Sequence, residues 1–206
     1  MGDRKLVVGF DLDMTLVDSR PGIAATLHAL AAETGRPIDA EVVVNRLGPT
    51  VEDELACWFP RDEVLPAADR FRELYAALGV PGTRLLPGAA DAVGAVRALG
   101  GRTLVVTAKY EPNAHACLAH VGLAVDAVYG WRFGAAKGET LAAEGADLFV
   151  GDTPHDVAGA RAAGACAVAV PTGPHLASEL RDAGADVVLA SLTDFGAWLR
   201  RWASSR

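Results

Sequence analysis

Residues 6–18 read LVVGFDLDMTLVD, and this stretch decides the fold. Its first five residues form an apolar run rich in β-branched side chains, which ends abruptly at Asp11. A continuous apolar run of this length predicts a strand that is buried on both faces, as in a parallel sheet. Comparable runs follow at 103–107, 127–129, 147–151 and 165–170, with an edge strand predicted at 186–189.

Alanine-rich segments with helical spacing separate most of these strands, at 89–99, 112–121, 154–163 and 176–183. Strands that alternate with helices of this length predict right-handed crossovers between parallel strands. We therefore expect an α/β fold built on a doubly wound parallel sheet, with the strands in the order 3-2-1-4-5.

The interval from Pro21 to about Arg84 breaks this alternation. It contains three amphipathic helical stretches, at 23–34, 51–59 and 67–78, and no convincing strand. Glycine and proline residues at 79–82 and 86–88 are typical of the return from an insertion. The sequence thus predicts an α/β core, residues 1–18 and 85–206, and an inserted helical domain, residues 19–84.

Composition narrows the range of partners. The 206 residues carry a formal net charge of −7, which argues against nucleic acid as a partner because such proteins display a basic stripe. An apolar run long enough to cross a membrane and a recognisable leader are both missing from the sequence. The three cysteines lack metal-ligand spacing and suit a reducing compartment. We expect a cytoplasmic protein with no membrane partner.

Two aspartates follow the first strand immediately. In extended backbone, positions i and i+2 share a face about 6.6 Å apart, so Asp11, Asp13 and Thr15 converge beyond the carboxyl end of the strand. Neighbouring carboxylates repel each other, and a hard divalent cation, Mg²⁺ above all, relieves that repulsion. The alternative is that either aspartate caps a helix or a turn, which is common after strands.

A second acidic pair follows the fourth strand, in the sequence GDTPHD at 151–156. Asp152 or Thr153 capping the helix that begins near Pro154 explains only one of these aspartates. In the order 3-2-1-4-5, strands one and four are neighbours, so Asp11 and Asp152 are expected in one crevice at the carboxyl edge of the sheet.

Two further positions suit a phosphate. The second strand ends in Thr107-Ala108-Lys109, which offers a hydroxyl group and backbone N–H groups at a helix start, where an anion is favoured. Lys137 lies at another helix entry, between strands three and four, where its charge would neutralise both a phosphate and a carboxylate. The alternative for Lys137 is a solvated surface lysine.

Taken in order, these residues resemble the motifs of the haloacid dehalogenase superfamily of phosphotransferases. DxDxT at 11–15, a threonine at the end of a strand (Thr107), a lysine (Lys137) and GDxxxD at 151–156 follow one another along essentially the whole chain. Each motif is weak alone, whereas four in register are specific. The insert looks like the cap domain of the phosphoglycolate phosphatase-like and phosphomutase-like branch.

The resemblance implies a role for each acidic residue. Asp11 would be the nucleophile that forms an aspartyl-phosphate, and Asp13 would be the general acid and then the general base. Mg²⁺ would be held by the Asp11 carboxylate, the Asp13 backbone carbonyl and the Asp152 carboxylate. Asp156 would support these ligands from behind.

It also implies how a substrate is held. Thr107, the backbone N–H at Ala108, and Lys137 would bind the phosphoryl oxygens. Arg46, in the loop 45–50 of the insert, would reach an anionic leaving group, unless it is simply a surface arginine. Two departures from the family pattern are Met14, where glycine is usual, and Ala108, where asparagine is frequent.

The expected function is therefore a Mg²⁺-dependent phosphatase that hydrolyses a small phosphorylated metabolite through an aspartyl-phosphate. Asp13 favours phosphoryl transfer over dehalogenation, because a halide leaving group needs no proton. An insert without lysine argues against phosphonatase chemistry, which uses a cap lysine. Two alternatives remain: a sugar phosphomutase of the same superfamily, and a non-catalytic phosphate-binding regulatory module.

Overall fold

The computed structural model describes residues 5–205, and these residues form an α/β fold built around one large parallel sheet. The described strands are β1 (Val7–Phe10), β2 (Val17–Asp18), β3 (Arg84–Leu85), β4 (Arg102–Val106), β5 (Ala127–Tyr129), β6 (Leu148–Gly151), β7 (Cys166–Ala169) and β8 (Val187–Val188). Six of them lie side by side in the order β5-β4-β1-β6-β7-β8. Counted along the chain, that order is 3-2-1-4-5-6, so the predicted order is confirmed and the edge strand is added to it.

The helices alternate with these strands as predicted. Those described are α1 (Arg20–Thr34), α2 (Ala40–Val44), α3 (Val51–Leu55), α4 (Val64–Leu74), α5 (Ala89–Ala98), α6 (Glu111–His120), α7 (Ala135–Ala143), α8 (Pro154–Ala162), α9 (Ala177–Asp182) and α10 (Phe195–Ser204). The short helix α2 and the terminal helix α10 were not predicted. The stretch expected at 67–78 begins earlier and ends at Leu74, where a π-helical turn, Tyr75–Gly79, continues it.

Strand β1 organises the core because it pairs in parallel with both β4 and β6. All four of its residues are buried, as its continuous apolar pattern predicts. Val8 and Phe10 pack with α5 and α10 on one face of the sheet, where the Phe10 and Phe195 rings lie 5.5 Å apart. Val7 faces the other layer, with α7, α8 and α9. The sheet is therefore covered by helices on both faces, and ligands are expected to bind at the carboxyl ends of its strands.

Helices α1 to α4 form the insert and have a hydrophobic cluster of their own, which includes Leu27, Leu55 and Tyr75. Cys117 of α6 belongs to the same cluster, so the insert packs directly on the core. Where the chain leaves and re-enters the core, β2 and β3 pair antiparallel, Val17 with Leu85 and Asp18 with Arg84. This short pair lies at the two ends of the insert, and it was not predicted because two residues per strand are too few to leave a periodic pattern.

Among residues 5–205, none of the helices is both long enough and apolar enough to cross a membrane.

The contact between α1 and the π-helical turn gives a test of the packing. A Cβ atom on Gly22 would lie 2.1 Å from the carbonyl oxygen of Gly79. Overpacking of this kind costs about 1–3 kcal/mol, so Gly22→Ala should lower the free energy of unfolding by that amount. Urea denaturation measures it.

Gly94→Ala is the matched control, because Gly94 is also helical and has open space around its would-be Cβ. Alanine has the higher helix propensity, so this variant should gain about 0.5–1 kcal/mol. Equal effects of the two substitutions would show that the close approach at Gly22 does not constrain the fold.

Candidate active site

The predicted site residues converge at the carboxyl edge of the sheet. Asp11 follows β1, Thr107 follows β4 and Asp152 follows β6, and these three strands are adjacent and parallel. The backbone N–H of Asp11 donates to the carbonyl oxygen of Val150 at 2.8 Å, which continues the sheet pairing to the site itself. Strand pairing therefore brings the acidic motifs at 11–15 and 151–156 together, as the strand order predicts.

Three carboxylates form a buried cluster at this edge. Asp11, Asp152 and Asp156 each place an oxygen within 4.8 Å of the others, and all three residues are buried. Lys137, which begins α7, extends its amine into the cluster, donating to Oδ1 of Asp11 at 2.9 Å and to Asp156. Lys137 is 4% exposed, so the surface-lysine alternative is excluded.

Asp156 is held in place by the start of α8. Its Oδ2 accepts from the backbone N–H groups of Asp152 at 3.2 Å and Thr153 at 3.0 Å, and from the Thr153 hydroxyl at 2.8 Å. The Thr153 hydroxyl in turn accepts from the Asp156 N–H, which completes a capping box. Because Asp156 makes so many contacts with the chain, it is positioned to support the cluster.

Asp152 is fixed by the first motif. The Thr15 hydroxyl donates to its Oδ1 at 2.8 Å, a contact between residues 137 apart in the sequence. On the other side, a Cβ atom on Gly173 would lie 1.9 Å from Oδ2 of Asp152, so any side chain at this position would displace that carboxylate. The backbone therefore forms a close cradle around this carboxylate.

The cluster shifts the ionisation of its members. Burial raises the pKa of Asp11 to about 7, and the negative charges of Asp156 and Asp13 add to that rise while Lys137 opposes it. Burial, followed by Asp156 and Asp11, also raises the pKa of Asp152. Burial lowers the pKa of Lys137, but Asp11 and Asp156 raise it by more, so the amine stays protonated. Three carboxylates around one ammonium group leave a surplus of negative charge in a desolvated site.

Oxygen-rich, closely spaced carboxylates with surplus negative charge suit a hard divalent cation. The cluster of Asp11, Asp152 and Asp156 offers such a donor set, and Asp11 and Asp152 are the two with fewer contacts to the chain. The side chain of Asp13 lies elsewhere: its Oδ1 accepts from the amine of Lys109 at 2.8 Å. A contribution of Asp13 to metal binding would therefore come from its backbone and not from its side chain.

Lys109 is a site residue whose contacts the sequence did not reveal. Its amine is buried, binds Asp13 and lies 4.5 Å from the centre of the Tyr75 ring, which belongs to the insert. Burial lowers the pKa of Lys109, but Asp13 raises it by more. Its position after the second strand and the scarcity of lysine in this chain, three in all, pointed to Lys109, whereas its contact with Asp13 left no signal in the sequence.

Thr107 and Ala108, which precede Lys109, line a cavity at this edge of the sheet. Thr107 is buried, and its hydroxyl oxygen accepts from the Lys109 N–H at 3.2 Å. The hydroxyl proton of Thr107 is thereby available to a ligand. Ala108 takes up little of the space in the cavity, since its side chain is a single methyl group.

Met14 adopts a left-handed backbone conformation, which glycine takes at lower cost. Its φ is 59°, in the left-handed region, which costs a residue other than glycine about 1–2 kcal/mol. Its side chain is buried, and its carbonyl oxygen accepts from the Thr172 hydroxyl at 2.5 Å. These contacts hold the turn between Asp13 and Thr15 in this conformation.

Arg46 does not line the cavity, and the expectation that it contacts a leaving group finds no support in its position. Its guanidinium is held by Glu54, with contacts of 2.6 and 2.9 Å to Oε2 of that carboxylate. The arginine in the cavity wall is instead Arg72 of α4, whose side chain is 10% exposed. Sequence reasoning missed Arg72 because α4 bears two arginines, Arg70 and Arg72, and periodicity does not tell which one faces the core.

A cavity of about 640 Å³ lies between the insert and the edge of the sheet. Asp11, Asp13, Lys137 and Asp152 lie at its core end, while the insert contributes Leu27, Val43 and other apolar side chains. The cavity is large enough for a small organic ligand, and its charged end coincides with the acidic cluster.

Comparison with known proteins agrees with this architecture. Residues 6–164 match the sequence model of the haloacid dehalogenase-like hydrolases. The phosphoglycolate phosphatase of Rhodospirillum rubrum is 33% identical over 215 residues, which cover 92% of this chain and 89% of that protein. The chain belongs to the haloacid dehalogenase-like hydrolase family.

The chain is also similar to a longer protein. The tyrosine-protein kinase PtkA of Mycobacterium tuberculosis is 30% identical over 186 residues, 84% of this chain, and the match spans only 64% of that protein's length. Among solved structures, a haloacid dehalogenase-like family protein from Streptococcus pneumoniae superposes with a TM-score of 0.82 at 24% identity, covering 95% of this chain and 98% of the other. That superposition supports the fold.

The raised pKa values predict how the stability of the metal-free protein depends on pH. In the folded state Asp11 and Asp152 bind protons at a higher pH than in the unfolded state, so unfolding releases protons between about pH 4 and 7. Stability should therefore rise as the pH falls from 7.5 to 5.5, by up to about 1.4 kcal/mol per pH unit for each group.

Asp152→Asn provides the control, because it removes one buried charge and keeps an oxygen for Thr15. The variant should be more stable than the wild type at pH 7.5 by at least about 1 kcal/mol and should depend less on pH. Chemical denaturation in the presence of a chelator measures both. A wild type and variant with parallel pH profiles would contradict the assignment of these shifts to the cluster.

Proposed function

We propose that the protein is a Mg²⁺-dependent phosphatase that hydrolyses a small phosphomonoester through an aspartyl-phosphate on Asp11. The observation that carries the proposal is the buried cluster of Asp11, Asp152 and Asp156, into which Lys137 directs its amine. Membership of the hydrolase family and the likeness to phosphoglycolate phosphatases support the same chemistry.

Mg²⁺ would be held by the carboxylates of Asp11 and Asp152, with the backbone carbonyl of Asp13 as a third protein ligand. The fit rests on an all-oxygen donor set with surplus negative charge and on the close cradle around Asp152. When bound, the cation would neutralise charge on the phosphoryl oxygens and on the nucleophile. Asp156 would orient Lys137 and the start of α8 rather than bind the metal.

Asp11 would attack phosphorus in line. An oxygen of its carboxylate forms the new P–O bond while the bond to the leaving oxygen breaks, and water then attacks the aspartyl-phosphate to release phosphate and restore the carboxylate. An anionic nucleophile and a dianionic ester repel each other, so Lys137 is required beside Asp11 to screen that repulsion.

Asp13 would protonate the leaving oxygen and later deprotonate the attacking water. Its carboxylate is 21% exposed and borders the cavity, in contrast to the more deeply buried Asp11. Lys109 would hold Asp13 in one orientation. The Thr107 hydroxyl, the backbone N–H at Ala108 and the Lys137 amine would bind the phosphoryl oxygens.

Residues 19–84 would act as a cap over the core, which comprises residues 1–18 and 85–206. The cavity lies between these two parts, so a substrate would be enclosed by both, away from bulk water. The partner of the protein would be a small phosphorylated metabolite, and the protein would be located in the cytoplasm.

A phosphomutase and a phosphate-binding module use the same cluster, but each leaves a different product. A mutase would isomerise a sugar phosphate with little release of phosphate, whereas a module would bind phosphate without turnover. Phosphate release from a panel of small phosphomonoesters, with and without Mg²⁺, separates the three. We expect release that requires Mg²⁺.

A second candidate activity is transfer of the phosphoryl group to a tyrosine hydroxyl, favoured by the 30% identity to the tyrosine-protein kinase PtkA. In that case ATP would supply the phosphoryl group, and a tyrosine hydroxyl in place of water would take it. Incubation with labelled ATP and a tyrosine-containing peptide tests this activity. Labelled peptide without phosphate release would replace the first proposal.

Asp11→Asn should lower kcat by at least about a thousandfold, because an amide is a far weaker nucleophile than a carboxylate. The variant should remain folded, since the substitution removes a buried charge without changing size. Acid-quenched wild type should carry one phosphoryl group on the peptide that contains Asp11, as mass spectrometry detects. Substantial turnover by the variant would rule out Asp11 as the nucleophile.

Lys137→Ala should lower kcat/KM by about 10²–10³-fold through loss of charge screening at the phosphoryl group. Lys5→Ala is the control, since Lys5 is exposed and lies ahead of β1. A loss of only a few-fold in Lys137→Ala would mean that its amine stabilises the cluster without taking part in the transfer.

Mg²⁺ should stabilise the protein more at pH 7.5 than at pH 5.5, because protonated carboxylates bind the cation poorly. Differential scanning fluorimetry with and without about 10 mM Mg²⁺ should show a larger rise in Tm at pH 7.5 than at pH 5.5. Asp152→Asn should abolish the rise. An equal shift at both pH values would indicate binding elsewhere on the surface.

A further inference from the structure

An exposed tryptophan stands on the cavity wall in a conformation that such residues rarely adopt. Trp131, which follows β5, is 58% exposed and has a φ of 52°, in the left-handed region. For a bulky side chain this conformation is a genuine outlier, and outliers of this kind concentrate at functional sites. Core packing does not account for it, because so much of the ring faces the cavity and solvent.

The backbone holds Trp131 against the phosphate end of the cavity. Its N–H donates to the carbonyl oxygen of Lys109 at 2.9 Å, and the next N–H, from Arg132, donates to the carbonyl oxygen of Thr107 at 2.8 Å. Two hydrogen bonds thus join this loop to the residues that follow β4. The position of the indole is therefore tied to the position of Thr107 and Lys109.

The indole belongs to a group of aromatic rings. Tyr110 lies 5.3 Å from Trp131, ring centre to ring centre, at an interplanar angle of 35°. Phe71 and Phe133 also line the cavity. A flat apolar wall of this kind stacks against planar ligands more favourably than against puckered ones.

Arg72 completes this wall and shows which charge it accepts. Its guanidinium lies 5.4 Å from the centre of the Trp131 ring and 5.9 Å from that of Tyr110. Glu52 and Asp69 already bind its two terminal nitrogens, so its charge is neutralised. A second anionic group on a substrate would meet these carboxylates and would be disfavoured.

The remaining nitrogen of Arg72 is a free donor. Its Nε is buried and has no hydrogen-bond partner among the described residues. A buried donor without a partner is costly. Because this nitrogen is buried, a ligand in the cavity does not reach it while the Arg72 side chain keeps its position. Arg72 therefore contributes the plane of its guanidinium group to the wall.

The chemistry of the reaction directs the leaving group to this wall. The general acid must contact the leaving oxygen, and the carboxylate of Asp13 is bound to Lys109, the residue next to Tyr110. Tyr110, Trp131 and Arg72 line the same cavity as Asp13, so a leaving group that departs past Asp13 enters the space that these three side chains border.

We propose that Trp131, Tyr110 and Arg72 form a leaving-group subsite that selects phosphomonoesters with an uncharged aromatic ring. The inference rests on the proposed phosphatase activity. It separates this chain from an enzyme for 2-phosphoglycolate, whose small anionic leaving group would neither stack on the wall nor tolerate Glu52 and Asp69.

The test compares benzyl phosphate with cyclohexylmethyl phosphate, two alkyl esters of similar size and leaving-group chemistry that differ in the planarity of the ring. Wild-type kcat/KM should favour the benzyl ester by about tenfold, as expected for one good aromatic stack. 2-Phosphoglycolate should be a poorer substrate than benzyl phosphate. Equal kcat/KM for the two ring esters would overturn the proposal.

Trp131→Ala should abolish the preference by lowering kcat/KM for the benzyl ester alone, and Trp131→Phe should retain most of it. Leu176→Ala, which truncates an equally exposed apolar side chain outside the cavity, should leave both values unchanged. A parallel loss for both esters in Trp131→Ala would show that the indole acts on the phosphoryl end and would overturn the assignment of the subsite.

Calorimetry separates this proposal from the activity on which it rests. Benzylphosphonate and cyclohexylmethylphosphonate carry a P–C bond that a phosphomonoesterase does not hydrolyse, so their affinities can be measured with wild-type protein and Mg²⁺. Tighter binding of the benzyl compound, lost in Trp131→Ala, would support the subsite even if every ester were stable. Hydrolysis of esters together with equal phosphonate affinities would retain the phosphatase and refute the aromatic subsite.

Discussion

The desolvation of three carboxylates around a single ammonium group is the constraint on which the rest of this structure depends. Asp11, Asp152 and Asp156 lie close together out of water, and Lys137 supplies only one positive charge among them. Removing such groups from water costs more than one pairing returns, and here the raised pKa of Asp11 and of Asp152 expresses that cost. The fold therefore maintains a site in which negative charge exceeds positive charge. A cation bound there, in contact with a phosphoryl group, would balance that excess.

Holding such a cluster requires rigid support, and the parallel sheet provides it. Asp11 and Asp152 extend from neighbouring strands whose backbones are hydrogen-bonded up to the site, and Asp156 is fastened to the start of α8 by backbone N–H groups. The repulsion within the cluster cannot then be relieved by small movements of the backbone. The same rigidity explains why small residues surround the carboxylates, with Gly173 the clearest case.

The sequence predicted those parts of the structure that depend on local pattern. Continuous apolar runs located the strands of the sheet, and the strand order followed from the alternation with helices, so the meeting of Asp11 with Asp152 could be expected in advance. Contacts that cross the chain left no such pattern. Lys109 reaches Asp13 across 96 positions, and Arg72 faces the cavity because α4 packs in one rotation, which periodicity alone does not determine. Arg46 was chosen for its loop, whereas its guanidinium is engaged by Glu54 within the insert.

Two lysines divide the proposed reaction between them, and this division links catalysis to selectivity. Lys137 contacts the nucleophile at the closed end of the cavity, while Lys109 contacts the general acid where the leaving group would depart. The cavity that these carboxylates border is also lined by the rings of Tyr110 and Trp131. The charge of Arg72, in the same cavity wall, is neutralised by the carboxylates that bind it. Tyr110 follows Lys109 in the chain, and the Trp131 N–H donates to the Lys109 carbonyl oxygen, so the backbone of the residues that would select the leaving group is joined to that of the residue that orients the acid. A ring stacked on that wall would bring its ester oxygen to Asp13, so binding energy far from phosphorus would be used to align the proton transfer.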